Sequence, residues 1–506
     1  MIFAKCLFFI FSSVFTLSAL GQRVVYSQPE KDDTRRMNFE VIGKVTGNFL
    51  IYKNIRGRNY IAVYDNDMKQ IAREEHEYLP DERLINVDFF PYTDFVYMLF
   101  QYQKKNVVYC KAVKLNNMGK KSSDVIEIDT AHISFTTDNK IYSTVSSEDK
   151  SHLMVFRINT RNKSRYRITT LLLSENLALK KKTSMVMPME EQNDYLDEFG
   201  VDNDGDFVFT KFTRNNNDNI AKTLLVWKPA LSDSFAITDI TLDKIYLDEV
   251  HLKIDNANKR YFLTSFYYKQ RRGNIDGFYF YVWDKSTRST GMENTITFSE
   301  ELRKEAKGDA NIKLAFNDYF IRNIIIKKNG GFIIGSESYY TSSRGNNWNR
   351  WDYLFGSPFN SRWDYYTTSP IYNSWYWRTR YNNQAMRHHA DNLTIFSFNK
   401  DGKLEWSNVI HKDQFDDESG DYISYQLINT GSQLHFVFNQ EEKRAQLLND
   451  YTLTGDGSMN RNPTLKNLDR GYEFLPKFGK QVSALQMIIP CYYRNYICFA
   501  KIDYNQ

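Results

Sequence analysis

Cysteine is scarce: 4 of 506 residues. That excludes a scaffold built from disulfides. Charge of neither sign dominates, with 66 Lys and Arg against 61 Asp and Glu for a formal net charge of +5. No basic block is long enough to form a nucleic-acid-binding or membrane-binding tail. Long hydrophobic runs are missing with one exception, residues 7–17. This run follows Lys5, is too short to span a bilayer, and ends near Ala19-Leu20-Gly21, whose Ala19 and Gly21 are small. The expectation is a secretory signal over 1–21, cleaved near Gly21, leaving an exported chain of 22–506 with net charge near +4 and no transmembrane anchor. Cys6 precedes the apolar run, whereas a lipoprotein cysteine follows it. Catalytic signatures are missing too. There is no Gly-x-Ser-x-Gly elbow, no Walker loop and no His-Glu-x-x-His. Helical periodicity is confined to residues 299–307, SEELRKEAK.

What remains is strand-like. Runs of five to eight Tyr, Phe and β-branched residues alternate with Asn, Asp, Gly and Lys clusters. One set reads FLIYKNI (49–55), FVYMLFQ (95–101), KIYSTVS (140–146), DFVFTKF (206–212), RYFLTSF (260–266), GFIIGSE (331–337), LHFVFNQ (434–440) and LQMIIPC (485–491). Each has a partner run, from YIAVYD (60–65) to ICFAKID (497–503), with AQLLNDY (445–451) the poorest match. Repeated units of three to four strands predict an all-β protein, a β-propeller of 7–8 blades forming a single domain over 22–506. A multi-sheet sandwich array is the alternative. The last unit lacks an outer strand, and residues 23–27, RVVYS, would supply it and close the ring. The turn FNKDGKLEW (398–406) resembles the aspartate-glycine-tryptophan turn of quinoprotein-like propellers. Only this unit has the tryptophan, so the resemblance reaches the repeat and implies no cofactor.

If strands A to D are counted outward from the axis, the B–C and D–A connections share one face of the ring. The longest irregular segments, 178–196, 299–314, 341–392, 412–421 and 452–470, then fall on that face, which becomes the expected binding face. The largest, 341–392, is read as an insertion within blade six. Between Trp348 and Tyr381 it holds five of the chain's eight tryptophans, and over 341–392 it has six arginines but no lysine or glutamate. Part of it is said twice, as Arg350-Trp351-Asp352-Tyr353 and Arg362-Trp363-Asp364-Tyr365. Three readings stand: an aromatic plug in the mouth of the channel, a protein-binding surface of interface-like composition, or a glycan site. The candidate contact residues are Trp348, Arg350, Trp351, Asp352, Tyr353, Arg362, Trp363, Asp364, Tyr365, Trp375 and Trp377. The doubled motif favours two equivalent contacts over one catalytic centre.

Other clusters have structural explanations. Consecutive strand residues face opposite ways, which sets His388 apart from His389. Asp202, Asp204 and Asp206 read as a tight A–B turn, because the glycine and the missing distal glutamate do not fit a calcium loop. Asp416, Asp417, Glu418 and Asp421 form a solvated acidic loop, and Met185, Met187 and Met189 belong to a core. Asp197 and Glu198, with Asp352 and Asp364, are the carboxylates a propeller glycosidase or lyase would need. In IIPCYYRNYICFA, a two-residue turn at Arg494-Asn495 would set Cys491 opposite Cys498. Either a cross-strand disulfide or two buried small side chains fits that placement. No cofactor and no resident metal are expected. The chain is expected to be a binding or scaffold protein of the cell envelope, with an envelope or secreted protein as partner and no nucleic acid. The alternative is a carbohydrate-binding or carbohydrate-cleaving propeller.

Overall fold

The computed structural model describes residues 23–30, 37–80, 83–134, 140–162, 164–189, 193–214, 219–307, 312–343, 386–417, 420–442, 445–462 and 471–504. Their strands form antiparallel units of four. Blade one comprises Met37–Val45, Asn48–Ile55, Arg58–Tyr64 and Gln70–Glu75, and blade two Leu84–Pro91, Val96–Lys104, Val107–Leu115 and Ile126–His132. Blade three runs Ser143–Ser146, His152–Asn162, Arg165–Ser174 and Leu179–Pro188. Blade four is Asp194–Val201, Phe207–Arg214, Ile220–Lys228 and Ala236–Ile240, and blade five His251–Asp255, Arg260–Tyr268, Gly277–Asp284 and Ser289–Thr297. A short strand, Tyr246–Leu247, pairs with both and joins them into one nine-stranded sheet. Blade six is Tyr319–Ile326, Phe332–Ser343, Met386–Phe398 and Leu404–Ile410, and blade seven Tyr425–Asn429, Gln433–Glu442, Ala445–Thr454 and Met459–Arg461. Blade eight combines a split inner strand, Tyr472–Phe474 and Lys480–Ser483, with Gln486–Tyr493 and Tyr496–Asp503. Its outermost strand is Arg23–Tyr26, with Arg23 opposite Asp503.

The cores lie between blades and follow one another around a circle. Blades one and two share one cluster, two and three the next, and so on through blades seven and eight. A last cluster joins Ile488 and Phe499 of blade eight to Val41, Phe49 and Ile51 of blade one. A sandwich array has no such return contact, so the fold is an eight-bladed β-propeller. The arrangement also explains the sequence pattern. A middle strand is covered on both faces, so Phe207–Arg214 is buried at every position and its sequence, FVFTKFTR, shows no two-residue alternation of apolar and polar side chains. Outer strands such as Gln70–Glu75 meet water and carry charge, which protects their free edges.

On the opposite face of the ring, which holds the A–B and C–D connections, one turn recurs. From Asp65, Asn116, Ser174, Asp202, Lys327, Asn399 and Thr454, the first N–H donates to the carbonyl four residues on, and the fourth N–H donates back to the first carbonyl. The fourth residue has positive φ, and glycine fills it in five of these turns. Met68 and Leu177 stand there instead, at φ 56° and 58°, because their side chains are buried in the cores beside them. Trp406, from the turn singled out above, reaches sideways: its Nε1–H donates to Gly455 O of blade seven at 3.2 Å.

Several expectations need correction. KIYSTVS, grouped in sequence with runs that form second strands in other blades, provides the inner strand Ser143–Ser146, and its partner run LMVFRIN (153–159) takes the second place. Segment 178–196 is not irregular, since Leu179–Pro188 is an outer strand. Its lysine run at 180–182 hides an alternation in which Thr183, Met185 and Met187 are buried and Lys182, Ser184 and Val186 exposed. AQLLNDY, the poor match, lies in a regular third strand, Ala445–Thr454. The surface helix is present as Glu300–Lys307, with Leu302 and Ala306 buried in the core between blades five and six. Within 341–392, residues 341–343 and 386–392 are strand.

Candidate functional site

All eleven candidate contact residues, from Trp348 to Trp377, lie in 344–385, outside the described residues, and so do Asp352 and Asp364 as catalytic candidates. The structure does describe what carries that segment. The B–C hairpin of blade six has strands of 12 and 13 residues, paired out to Ser343 opposite Met386. A register shift between Glu337 and Tyr339, opposite Leu393 and Ala390, makes a bulge that bends the hairpin. Beyond it, Phe415–Asp416 from the following D–A connection adds a third strand, with Phe415 opposite His389 and Asp416 opposite His388.

The two faces of this stalk differ. Tyr340, His389 and Phe415 stand in one cross-strand row. The Tyr340 and His389 rings stack at 4.4 Å and 7°, and Ser342 Oγ lies 3.0 Å from His389 Nε2. The Arg387 guanidinium sits 4.4 Å above the Phe415 ring and donates to both Asp417 oxygens, at 2.6 and 3.0 Å. Phe415 remains 50% exposed. On the opposite face Tyr339 Oη meets His388 Nδ1 at 2.9 Å, and burial lowers the His388 pKa.

A buried polar network fixes the stalk to the ring. Lys412 and Glu337, both fully buried, pair at 2.8 Å. Lys412 Nζ also donates to Ala390 O and Gln414 Oε1, at 2.7 and 2.8 Å. Ser424 Oγ donates to Glu337 Oε2 at 2.5 Å, and Gln414 Nε2 donates to Asn439 O of blade seven at 2.6 Å. Together these bonds tie both stalk strands, the D–A connection and the next blade. Asp391, at the bulge, has its carboxyl pKa raised by burial and accepts a hydrogen bond from Tyr340.

The remaining candidates fall into place one by one. His388 and His389 do point apart, to Tyr339 and to Ser342. In the A–B turn of blade four, Asp202, Asp204 and Asp206 surround the Lys285 ammonium of blade five at 2.6, 2.7 and 2.9 Å. Hydrogen bonds from Lys259 and Lys285 hold the Asp204 carboxyl down to about 2. This carboxylate trio therefore clamps two blades through a lysine. Asp417 pairs with Arg387 and Asp421 with Lys477; Glu418 lies outside the described residues. Met185, Met187 and Met189 are buried, the last two in the core between blades three and four. Asp197 and Glu198 are buried as well. Asp197 accepts from Glu198 N, and Glu198 accepts from Leu252 N of the next inner strand, both at 2.8 Å. Both are engaged in holding backbone. Phe415, Lys412 and Glu337 were missed. Phe415 sits alone in an acidic loop, and a single Lys or Glu in a strand run carries no sequence mark of burial. Among the described residues no helix is long and apolar enough to cross a membrane.

No family model matches the sequence, and no curated protein matches it. Solved structures resemble it in fold. Prolyl oligopeptidase B from Galerina marginata is 9% identical with a TM-score of 0.41, over 90% of this chain and 55% of that chain. The polysaccharide lyase Uly1 is 10% identical, TM-score 0.38, over 95% and 99%. The β-propeller domain of the Trilobed protease from Pyrococcus furiosus is 10% identical, TM-score 0.35, over 84% and 94%. This chain spans about half the length of the oligopeptidase, 55%. No activity passes across likenesses of this size.

Proposed function

We propose that this propeller acts by binding, as an exported protein of the cell envelope whose blade-six stalk carries residues 344–385 as the contact surface for an envelope or secreted protein. The observation that supports this is the stalk itself. Its hairpin has the longest strands among the described residues, and a third strand, a ring row and the buried Lys412–Glu337 pair brace it. A braced base lowers the ordering cost that binding exacts from a long loop. The segment it carries is rich in Trp, Tyr and Arg and free of Lys and Glu, the bias of residues that dominate protein interfaces. The exposed Phe415 with Arg387 above it extends the same chemistry onto the stalk.

The test pairs two baits in solubilised envelopes of the native host: residues 22–506, and the same chain with 345–383 replaced by a short Gly-Ser linker. Both should show the same β-rich circular dichroism, with melting temperatures within a few degrees of each other. The intact bait alone should retain a stoichiometric protein. Equal capture by two folded baits would overturn the assignment.

A further inference from the structure

The B–C hairpin of blade eight holds two of the cysteines. Its turn residues Arg494 and Asn495 have φ of 50° and 67°, as a two-residue type I′ turn requires. Tyr493 pairs with Tyr496 and Cys491 with Cys498. Residues flanking a two-residue turn form a hydrogen-bonded pair, and pairs alternate along the ladder. Two steps on, the cysteines are again a hydrogen-bonded pair, with Cα atoms about 5.5 Å apart. That falls inside the roughly 4.4–6.8 Å span of protein disulfides. The two Sγ atoms face each other at 2.9 Å, and both residues are fully buried. The surroundings also call for small side chains there. Tyr26 on the outer strand and Tyr472 on the inner strand stack at 4.2 Å although two strands separate them. They meet across Cys491, Cys498 and Ala500. Cys110 stands apart, buried in the core between blades two and three.

We propose that Cys491 and Cys498 become a cross-strand disulfide when the chain folds in the presence of a thiol–disulfide oxidant, and that the bond locks the hairpin onto which the N-terminal strand docks. One cysteine thiolate attacks the oxidant's S–S bond and releases one thiol. The second then attacks the mixed disulfide and releases the other. Two protein thiols and one oxidant disulfide thus become one protein disulfide and two small thiols, which carry the protons. Burial raises the Cys491 pKa, so the closed blade offers little thiolate, and the exchange belongs to the stage before closure. The bond goes beyond the binding function, and a defined oxidant makes its test independent of where the chain resides.

Reduced protein is refolded in a glutathione redox buffer, unfolded, alkylated and digested with trypsin without reduction. Arg494 lies between the two cysteines, so cleavage separates residues 481–494 from 495–501. The expected product is those two peptides joined and released by reductant, with Cys110 alkylated. Separate alkylated peptides, glutathione adducts alone, or a link to Cys110 would overturn the bond. Oxidised protein should also melt several degrees above reduced protein, and Cys498→Ala should lose that dependence on oxidant. Equal melting of linked and reduced protein would remove the locking role.

Discussion

At the scale of single residues, the informative groups are polar ones placed where water is absent. His76 is 2% exposed, with Nδ1 2.8 Å from Tyr78 Oη, and burial lowers its pKa from 6.5 to about 4. Above pH 6.5 the ring is neutral in both folded and unfolded chains and contributes nothing. As pH falls from 6.5 towards 4 only the unfolded chain takes up the proton, and the fold loses up to about 3 kcal/mol. Urea midpoints should therefore fall between pH 7 and pH 4.5, and His76→Phe should flatten that part of the profile. A variant with an unchanged profile would remove His76 from the account. None of this is legible in the sequence, where His76 stands in the charged run REEHE. The three aspartates of blade four were legible as a turn, because Asp-Asn-Asp-Gly-Asp fits a five-residue reversal. Their lysine partner was not, because it lies 83 residues away in the chain.

At the scale of elements, strands were easiest to find where both faces are buried. An aromatic-rich run such as RYFLTSF is recognised without an alternating phase. The errors came where a strand is short or its apolar side is masked, as with Ser143–Ser146 and the lysine-rich Leu179–Pro188. Blade eight shows a finer effect. Its inner strand breaks at 475–479, opposite Ile489 and Pro490, where proline lacks the N–H a continuous ladder needs. The stalk was legible only as an insertion point. The residues that brace it come from 337, 412 and 424, and the chain gives no hint that these meet. Glu337→Ala leaves the Lys412 ammonium buried without its carboxylate and should cost about 3–5 kcal/mol, read as a lower urea midpoint. Glu337→Gln, which keeps the hydrogen bond to Ser424 possible, should cost less. Equal losses would mean that the missing charge alone sets the cost, with neither side-chain volume nor the Ser424 bond adding to it.

At the scale of the whole molecule, the repeat count and the closure were legible because both rest on the order of similar units. The contents of the face with the B–C and D–A connections were not, because its largest segment repeats nothing else in the chain. Closure rests on few residues. Arg23–Tyr26 supplies the edge strand, Ser27 N donates to Phe499 O at 2.9 Å, and Glu30 N donates to Ile497 O at 2.8 Å. The Glu30 carboxylate pairs with Lys53, whose side chain is 1% exposed, and accepts from Tyr64 Oη at 2.8 Å. Removing residues 22–30 should take the Glu30 carboxylate away from Lys53 and bare the edge at 496–503. Several kcal/mol of stability should be lost, and higher oligomers should appear in size-exclusion chromatography through the open edge. A monomer with an unchanged midpoint would show that the blades hold without this strand.

The same closure sets an order in time. Ser27 and Phe499, bonded in the finished ring, are 472 residues apart. A ribosome adding about 5–20 residues per second needs roughly 25 to 95 seconds to cover that distance. Arg23–Tyr26 therefore waits at least that long for its partner strand to be made.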